Sequence, residues 1–396
     1  MRLRPRTRPA ARPAGALVRA CALLCALTLL PAPPAAADTT ADPASGELQQ
    51  ELWALPAIGV PEVWETTRGG GITVAVVDTP VDPAHPDLVD NLAIGSGADT
   101  GGADLAHGTA MAGLIAAHGH GAEHAAGLTG VAPDASLLAV PVPEGGDGAE
   151  REAALARAIR QAATGGAQVI SLSYSGAAPA SRLSEAERQA IEFAADQGAV
   201  LVAAAGDTAD GAAFPGAHDA VLAVGPVDQS LAPDPLAGSG TELWAPGTAL
   251  TSTAPGGGYA DTSGAAAAAS VTAGVAALVR AAHPRLSPAQ VVQALGGPPA
   301  PSTEESAEPT GSSTDSTAEG ATGTAAPVLD AAAALAAAAE LDAALPSPSA
   351  AAPPPDETAD TGVDWLVLTA IIALGVAGLT VLLLLTLRRR SYRWTG

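Results

Sequence analysis

The chain has 396 residues, 48% of them hydrophobic, and its 41 Asp and Glu against 18 Arg and no Lys give a formal net charge of −23. All the acidic residues fall between Asp38 and Asp364, where eight arginines face them; the resulting net −33 excludes nucleic acid and anionic lipid headgroups as partners of that surface. Both cysteines, Cys21 and Cys25, lie in the first 37 residues, which leaves no disulfide, thiol nucleophile or cysteine-held metal in the remainder.

Residues 1–37 begin with Arg2, Arg4, Arg6, Arg8 and Arg12, continue through the apolar run Ala16 to Leu30 and end in Ala35-Ala36-Ala37. That order of charge, apolar core and small residues predicts a secretory signal peptide, and residues 38–48 then form a short N-terminal extension. At the other end, residues 365–387 are an uncharged apolar stretch of 23 residues followed by Arg388, Arg389, Arg390 and Arg393. At 1.5 Å rise per residue it covers roughly 34 Å, enough to span a bilayer. The arginines predict a cytoplasmic tail, residues 388–396, and place everything upstream outside the plasma membrane as the ectodomain of a single-pass protein.

Residues 49–345 carry the folded domain. Ile72 to Val77, Leu137 to Val142, Val169 to Ser173, Val200 to Ala204 and Ala220 to Val224 are β-branched apolar runs bounded by Gly, Pro or Asp and predict buried strands. Between them Gly108 to His118, Glu150 to Thr164 and Ser184 to Gln197 have helical spacing, the last with a capping-box pair at Ser184 and Glu187. A further helix is expected from Ala265 to His283, and another from Ser287-Pro288. This alternation predicts an α/β fold with a mainly parallel central sheet between two helical layers. Residues 298–323, rich in Ser, Thr, Glu and Pro, read as a disordered acidic insert; a helix-forming stretch resumes from Ala325 to Leu345, and residues 346–364 read as a Pro/Ala linker.

Three segments stand in the order of a catalytic constellation: ITVAVVDTPVDPAHPDL with Asp78 at a strand end, AHGTAMAGLIAA with His107 at a helix start, and SGAAAAASVTAGVAALV, an Ala-rich helix start. An aspartate at the C-terminal end of a parallel strand is placed to hold an imidazole by its Nδ1 proton. Together the segments resemble the subtilase family, whose catalytic order is Asp, His, Ser. With the signal segment, WALPAIGVPEVWETTRGGGITVAVVD, GVAPDASLLAVPV, VISLSYSG, LVAAAGD, ELWAPG and the terminal anchor, the resemblance extends to the mycosins, membrane-anchored subtilases associated with type VII secretion in actinobacteria. It implies a subtilisin-like three-layer domain with one C-terminal transmembrane helix and, for the intact family site, serine endopeptidase activity.

The match departs from the family at the nucleophile. Gly274 aligns with the glycine eight residues beyond the family's serine, and counting back without a gap puts Gly264, Ala265 and Ala266 on Gly-Thr-Ser, and Ser270 on the usual proline. Ala266 is then the position of the missing serine. Ser263 is the alternative nucleophile, but on a helix it lies about 4.5 Å and 300° from position 266, outside the roughly 2.6 to 3.2 Å within which a base takes a proton. Asp207, at the end of LVAAAGD, stands at the oxyanion asparagine, where an ionised carboxylate accepts hydrogen bonds and repels a developing oxyanion. Pro80 replaces a family glycine and removes a backbone N–H.

His118, His120 and His124 are of a type that binds zinc or copper, but HGHGAEHAAG reads as a Gly-rich surface loop. Calcium is common in related subtilases, yet no ligand run here assigns it, and no cofactor is expected. The resulting expectation is an inactive subtilase homologue that serves as scaffold or peptide-binding partner near a type VII secretion complex. The alternative is an active endopeptidase using Ser263, and a structural subunit that does not use its cleft is a third reading.

Overall fold

The computed structural model describes residues 48, 52–95, 103–143, 148–173, 183–206, 215–235, 237, 240–298 and 326–346. The signal segment, Asp207, most of the acidic insert, and the linker, span and tail after residue 346 lie outside the described residues.

Two short helices, α1 (Ala54–Ala57) and α2 (Val60–Val63), lead into β1 (Thr73–Asp78), β2 (Leu92–Ile94) and α3 (Ala106–Ala116). A small hairpin, β3 (His118–His120) and β4 (Ala126–Thr129), precedes β5 (Ser136–Pro141), α4 (Gly148–Thr164), β6 (Val169–Leu172), α5 (Glu185–Asp196), β7 (Val200–Ala204) and β8 (Val221–Val227). Then follow β9 (Leu243–Pro246), the hairpin β10 (Leu250–Ala254) and β11 (Gly258–Thr262), α6 (Ala265–Ala282), α7 (Pro288–Ala294) and α8 (Ala331–Ala344).

The expected parallel sheet is present. Seven strands, all parallel, run in the order β2-β5-β1-β6-β7-β8-β9. From β1 the chain first builds to one side, through β2 and β5, and then crosses to the other side at β6. The C-terminal end of β1 is therefore a topological switch point, where an open parallel sheet leaves a crevice.

Side-chain alternation sorts the two faces. Ala75 and Val77 of β1 and Ile170 and Leu172 of β6 join the apolar cluster under α4 and α5. By the same two-residue period Val74, Val76 and Asp78, with Val169, Ser171 and Ser173, point to the other face, which α6 covers together with α3, the latter packed against α6, β1 and β5. Packed against the sheet and α3, α6 has almost no contact with water, and every residue from Ala265 to Arg280 is buried. That is why the helix is apolar all round. It is long and apolar enough to cross a membrane, yet here it is a core helix.

Small residues let α6 approach its neighbours. A Cβ on Gly274 would lie 2.6 Å from Cβ of Val131. Gly274→Ala is therefore expected to lower unfolding free energy by about 1 to 3 kcal/mol through overpacking. Gly148→Ala, where the added carbon meets nothing within 4 Å, is expected to stay within about 0.5 kcal/mol of the parent; thermal melts of the two variants check this.

Several elements differ from the sequence reading. β2, β9 and the hairpin β10–β11 were not expected, and HGHGAEHAAG folds into a hairpin where a surface loop was expected. Its reason is the buried carboxylate of Asp87, which accepts hydrogen bonds from His120 Nδ1 (2.5 Å), the Leu128 amide (2.8 Å) and the Tyr259 hydroxyl (2.8 Å). A buried carboxylate needs such donors, and the hairpin supplies two of them. His118 and His124 meet each other instead, Nδ1 to Nδ1 at 3.3 Å. Among the described residues no group of three or more His, Cys, Asp or Glu is arranged to hold a metal ion.

Candidate active site

The site forms where β1 and β6 end side by side. Their register pairs Val77 with Leu172, so the next residues, Asp78 and Ser173, are neighbours on the same face. Asp78 is fully buried. Its Oδ1 accepts from His107 Nδ1 at 2.7 Å and from the Thr79 amide at 2.5 Å, and its Oδ2 accepts from the Ser173 hydroxyl at 2.5 Å. Three donors compensate a carboxylate that has lost its water.

His107 is delivered by the first turn of α3. A Cβ on Gly108 would fall on the carbonyl oxygen of Thr79 and 2.9 Å from that of Pro80, so only glycine lets the helix sit this close to the end of β1. The Gly108 amide donates to Thr79 Oγ1 at 2.9 Å and closes the junction. The far side of α3 is tied to β10: Ser252 Oγ donates to the Ala110 carbonyl at 2.6 Å and Thr253 Oγ1 to that of Thr109 at 2.7 Å. With Nδ1–H committed to Asp78, Nε2 is the basic nitrogen of the neutral ring, and the His107 side chain is 41% exposed. The pair can take a proton at Nε2 from any hydroxyl or water set against it.

Ser173 and Thr79 were missed as site residues by the sequence reading. The signal was available for Ser173: parity along VISLS puts it on the face of Asp78, but which strand lies beside β1 is decided by the sheet order alone. Ser173→Ala leaves a lone pair of a buried carboxylate unmatched and is expected to cost about 1 to 3 kcal/mol of stability, read by denaturant melts. The downfield proton resonance of His107 Nδ1–H should move in the same variant.

The nucleophile segment is held at both ends. Gly264 caps α6 with φ 123°, a conformation that favours glycine, and its amide donates to the Gly247 carbonyl at 2.7 Å. Ten residues on, Gly274 is seated against Val131. Between these anchors Ala266 is buried in the first turn of α6, 5% exposed. Ser270, on the position of the family's proline, turns its hydroxyl back to the Ala266 carbonyl at 2.9 Å.

Ser263 lies before the helix, directly after β11, so it is not on the helix where its place relative to position 266 was expected. Its hydroxyl accepts from the Ala249 amide at 2.9 Å, extending the hairpin in which Leu250 pairs with Thr262. The structure thus brings Asp78 and His107 together, sets Ala266 at the helix start and engages Ser263 in the hairpin. Asp207 lies outside the described residues, beyond β7 and Gly206.

Comparison with known proteins agrees with this geometry. The Subtilase family model matches residues 69–297. Thermitase of Thermoactinomyces vulgaris is 36% identical over 236 residues, covering 56% of this chain and 79% of that protein. Among solved structures, the MycP3 protease from the type VII (ESX-3) secretion system is 32% identical with a TM-score of 0.53, covering 62% of this chain and 80% of that one. MycP1 with its N-terminal propeptide removed is 27% identical with a TM-score of 0.56, covering 72% and 96%. With the model spanning more than half its length and the Asp78–His107 pair assembled in family order, the chain belongs to the subtilase family.

Proposed function

We propose that this chain is a catalytically inactive, mycosin-like subtilase. In this reading it is anchored outside the plasma membrane by residues 365–387 and binds a peptide or protein segment in its cleft, beside a type VII secretion complex. The observation that carries it is Ala266. Its helix is tied to Gly247 through Gly264 at one end and to Val131 through Gly274 at the other, which supports the ungapped family register in which a methyl group stands where the attacking oxygen would be. Without a nucleophile no acyl-enzyme forms, although a formed Asp–His pair and a binding cleft persist. Ser263 is a poor substitute because it lies ahead of the helix, its hydroxyl oxygen held by the Ala249 amide at the end of the β10–β11 hairpin. An aspartate at position 207 acts in the same direction. The likeness to MycP3 and MycP1 supports the link to secretion, and the apolar stretch before Arg388 supports the anchor.

The test is to titrate the full chain with fluorescent peptides derived from casein. The reading expects saturable binding without turnover, and loss of that binding in His107→Trp, which blocks the cleft. Turnover by the unmodified chain contradicts inactivity, and absence of binding contradicts the peptide-binding role and leaves a scaffold.

A further inference from the structure

A second concavity lies at the opposite end of the sheet from Asp78. Val200 begins β7 and Val221 begins β8, and at these N-terminal strand ends a cleft of about 330 Å³ opens between the end of α5 and the start of α7. Leu201, Leu222 and Val292 supply apolar wall; His218, Asp219 and Glu242 are its ionisable groups. The size is that of a pocket for a small organic ligand.

Glu242 is built into place. Its amide donates to the Ala223 carbonyl at 2.9 Å, and its Oε2 accepts from the Ala223 amide at 3.1 Å. Oε1 is left for another donor. Among the described residues no arginine lines the cleft, and His218 Nδ1 accepts from the Ala220 amide at 3.0 Å. Burial raises the Glu242 carboxyl above its ordinary range, the Ala223 amide opposes this, and the negative charge of Asp219 adds to the rise. The cleft therefore holds a partly desolvated carboxylate beside a second one, with no arginine among the described residues that line it.

We propose that this cleft binds the arginine side chain of a peptide or partner protein, its aliphatic stem on the apolar wall and its guanidinium on Glu242 Oε1 and Asp219. Guanidinium matches carboxylates through paired N–H donors and keeps its charge at any working pH, while its stem covers apolar surface. The volume has room for flanking peptide groups beyond one side chain, which favours a peptide-borne cation over a free one.

The test is calorimetric titration of the full chain with Nα-acetyl-arginine N-methylamide, its citrulline counterpart and agmatine. Expected are saturable 1:1 binding of the capped arginine, at least tenfold weaker binding of the neutral citrulline compound, and weaker binding of agmatine. Glu242→Gln should weaken the arginine compound at least tenfold while its amide oxygen still accepts from Ala223, so that the fold is kept; Asp219→Asn, on an exposed side chain, is the second variant. No saturable binding, or unchanged affinity in Glu242→Gln, overturns the site, and agmatine equal to the capped arginine overturns the peptide source. The affinity should also fall as pH drops through the raised carboxyl range, because the ligand needs Glu242 ionised. In the ligand-free chain the sign is opposite. A carboxyl with a raised folded pKa contributes stability below the ordinary glutamate range and loses it as pH rises through the raised value. Glu242→Gln should therefore melt slightly higher than the parent at neutral pH, the gain being small because the group is only partly buried.

Discussion

Ala266→Ser is expected to give the chain cleavage of a fluorogenic peptide measurably above that of the unmodified protein, for which the proposed function expects none. The base is already assembled: Asp78 holds His107 Nδ1 at 2.7 Å, and the helix that carries position 266 is fixed at Gly264 and Gly274. In the proposed reading what is missing is one oxygen. The gain should be partial if Asp207 stands at the oxyanion position, as the family resemblance implies, because a carboxylate there would repel the oxyanion that attack creates. Adding Asp207→Asn is expected to raise turnover a further 10² to 10³ fold, the typical effect of one oxyanion donor, for which subtilisin's asparagine is the standard example. Ser263→Ala in the same background should leave the rate unchanged. Initial rates of the three variants check the account, and an inert double variant would show that position 266 does not face the imidazole.

Gly108→Ala is the substitution expected to damage the molecule most. The added methyl would meet the carbonyl oxygens of Thr79 and Pro80, backbone atoms that have no rotamer to escape into. The helix must retreat from the end of β1, which breaks the Gly108 bond to Thr79 and the hold of Asp78 on His107. A loss of about 3 kcal/mol is expected, at the upper end of overpacking effects. The mutant should also lose the downfield His107 Nδ1–H resonance before it unfolds. Denaturant melts together with that resonance separate a local from a global effect.

What could be read in the sequence was whatever local pattern dictates. The strand runs around Val74, Leu137, Ile170, Val202 and Val221 carry their own apolar signature, and the capping box at Ser184 and Glu187 marks a helix start that the structure contains. Asp78 and His107 were legible because a strand end and a helix start each have a local signature and their family order is specific. The rest depends on partners distant in the chain. β2 and β9 are three and four residues long, too short for periodicity to register, and β9 includes a proline. Ser173 gains its role from the neighbour that the sheet gives it. The histidines of HGHGAEHAAG read as loop because nothing local reveals that Asp87, some thirty residues earlier, is buried and needs donors from them. Ser263 looked like part of a helix start, whereas its bond to Ala249 makes it the end of a hairpin.

The central claim, an assembled Asp–His pair with no nucleophile, is tested most directly by the intact mass of the full chain after treatment with a fluorophosphonate. Expected are no adduct on the unmodified protein and a single adduct, mapped to position 266, in Ala266→Ser. One equivalent of adduct on the unmodified chain, mapped to Ser263 or any other serine and abolished by His107→Ala, would contradict it.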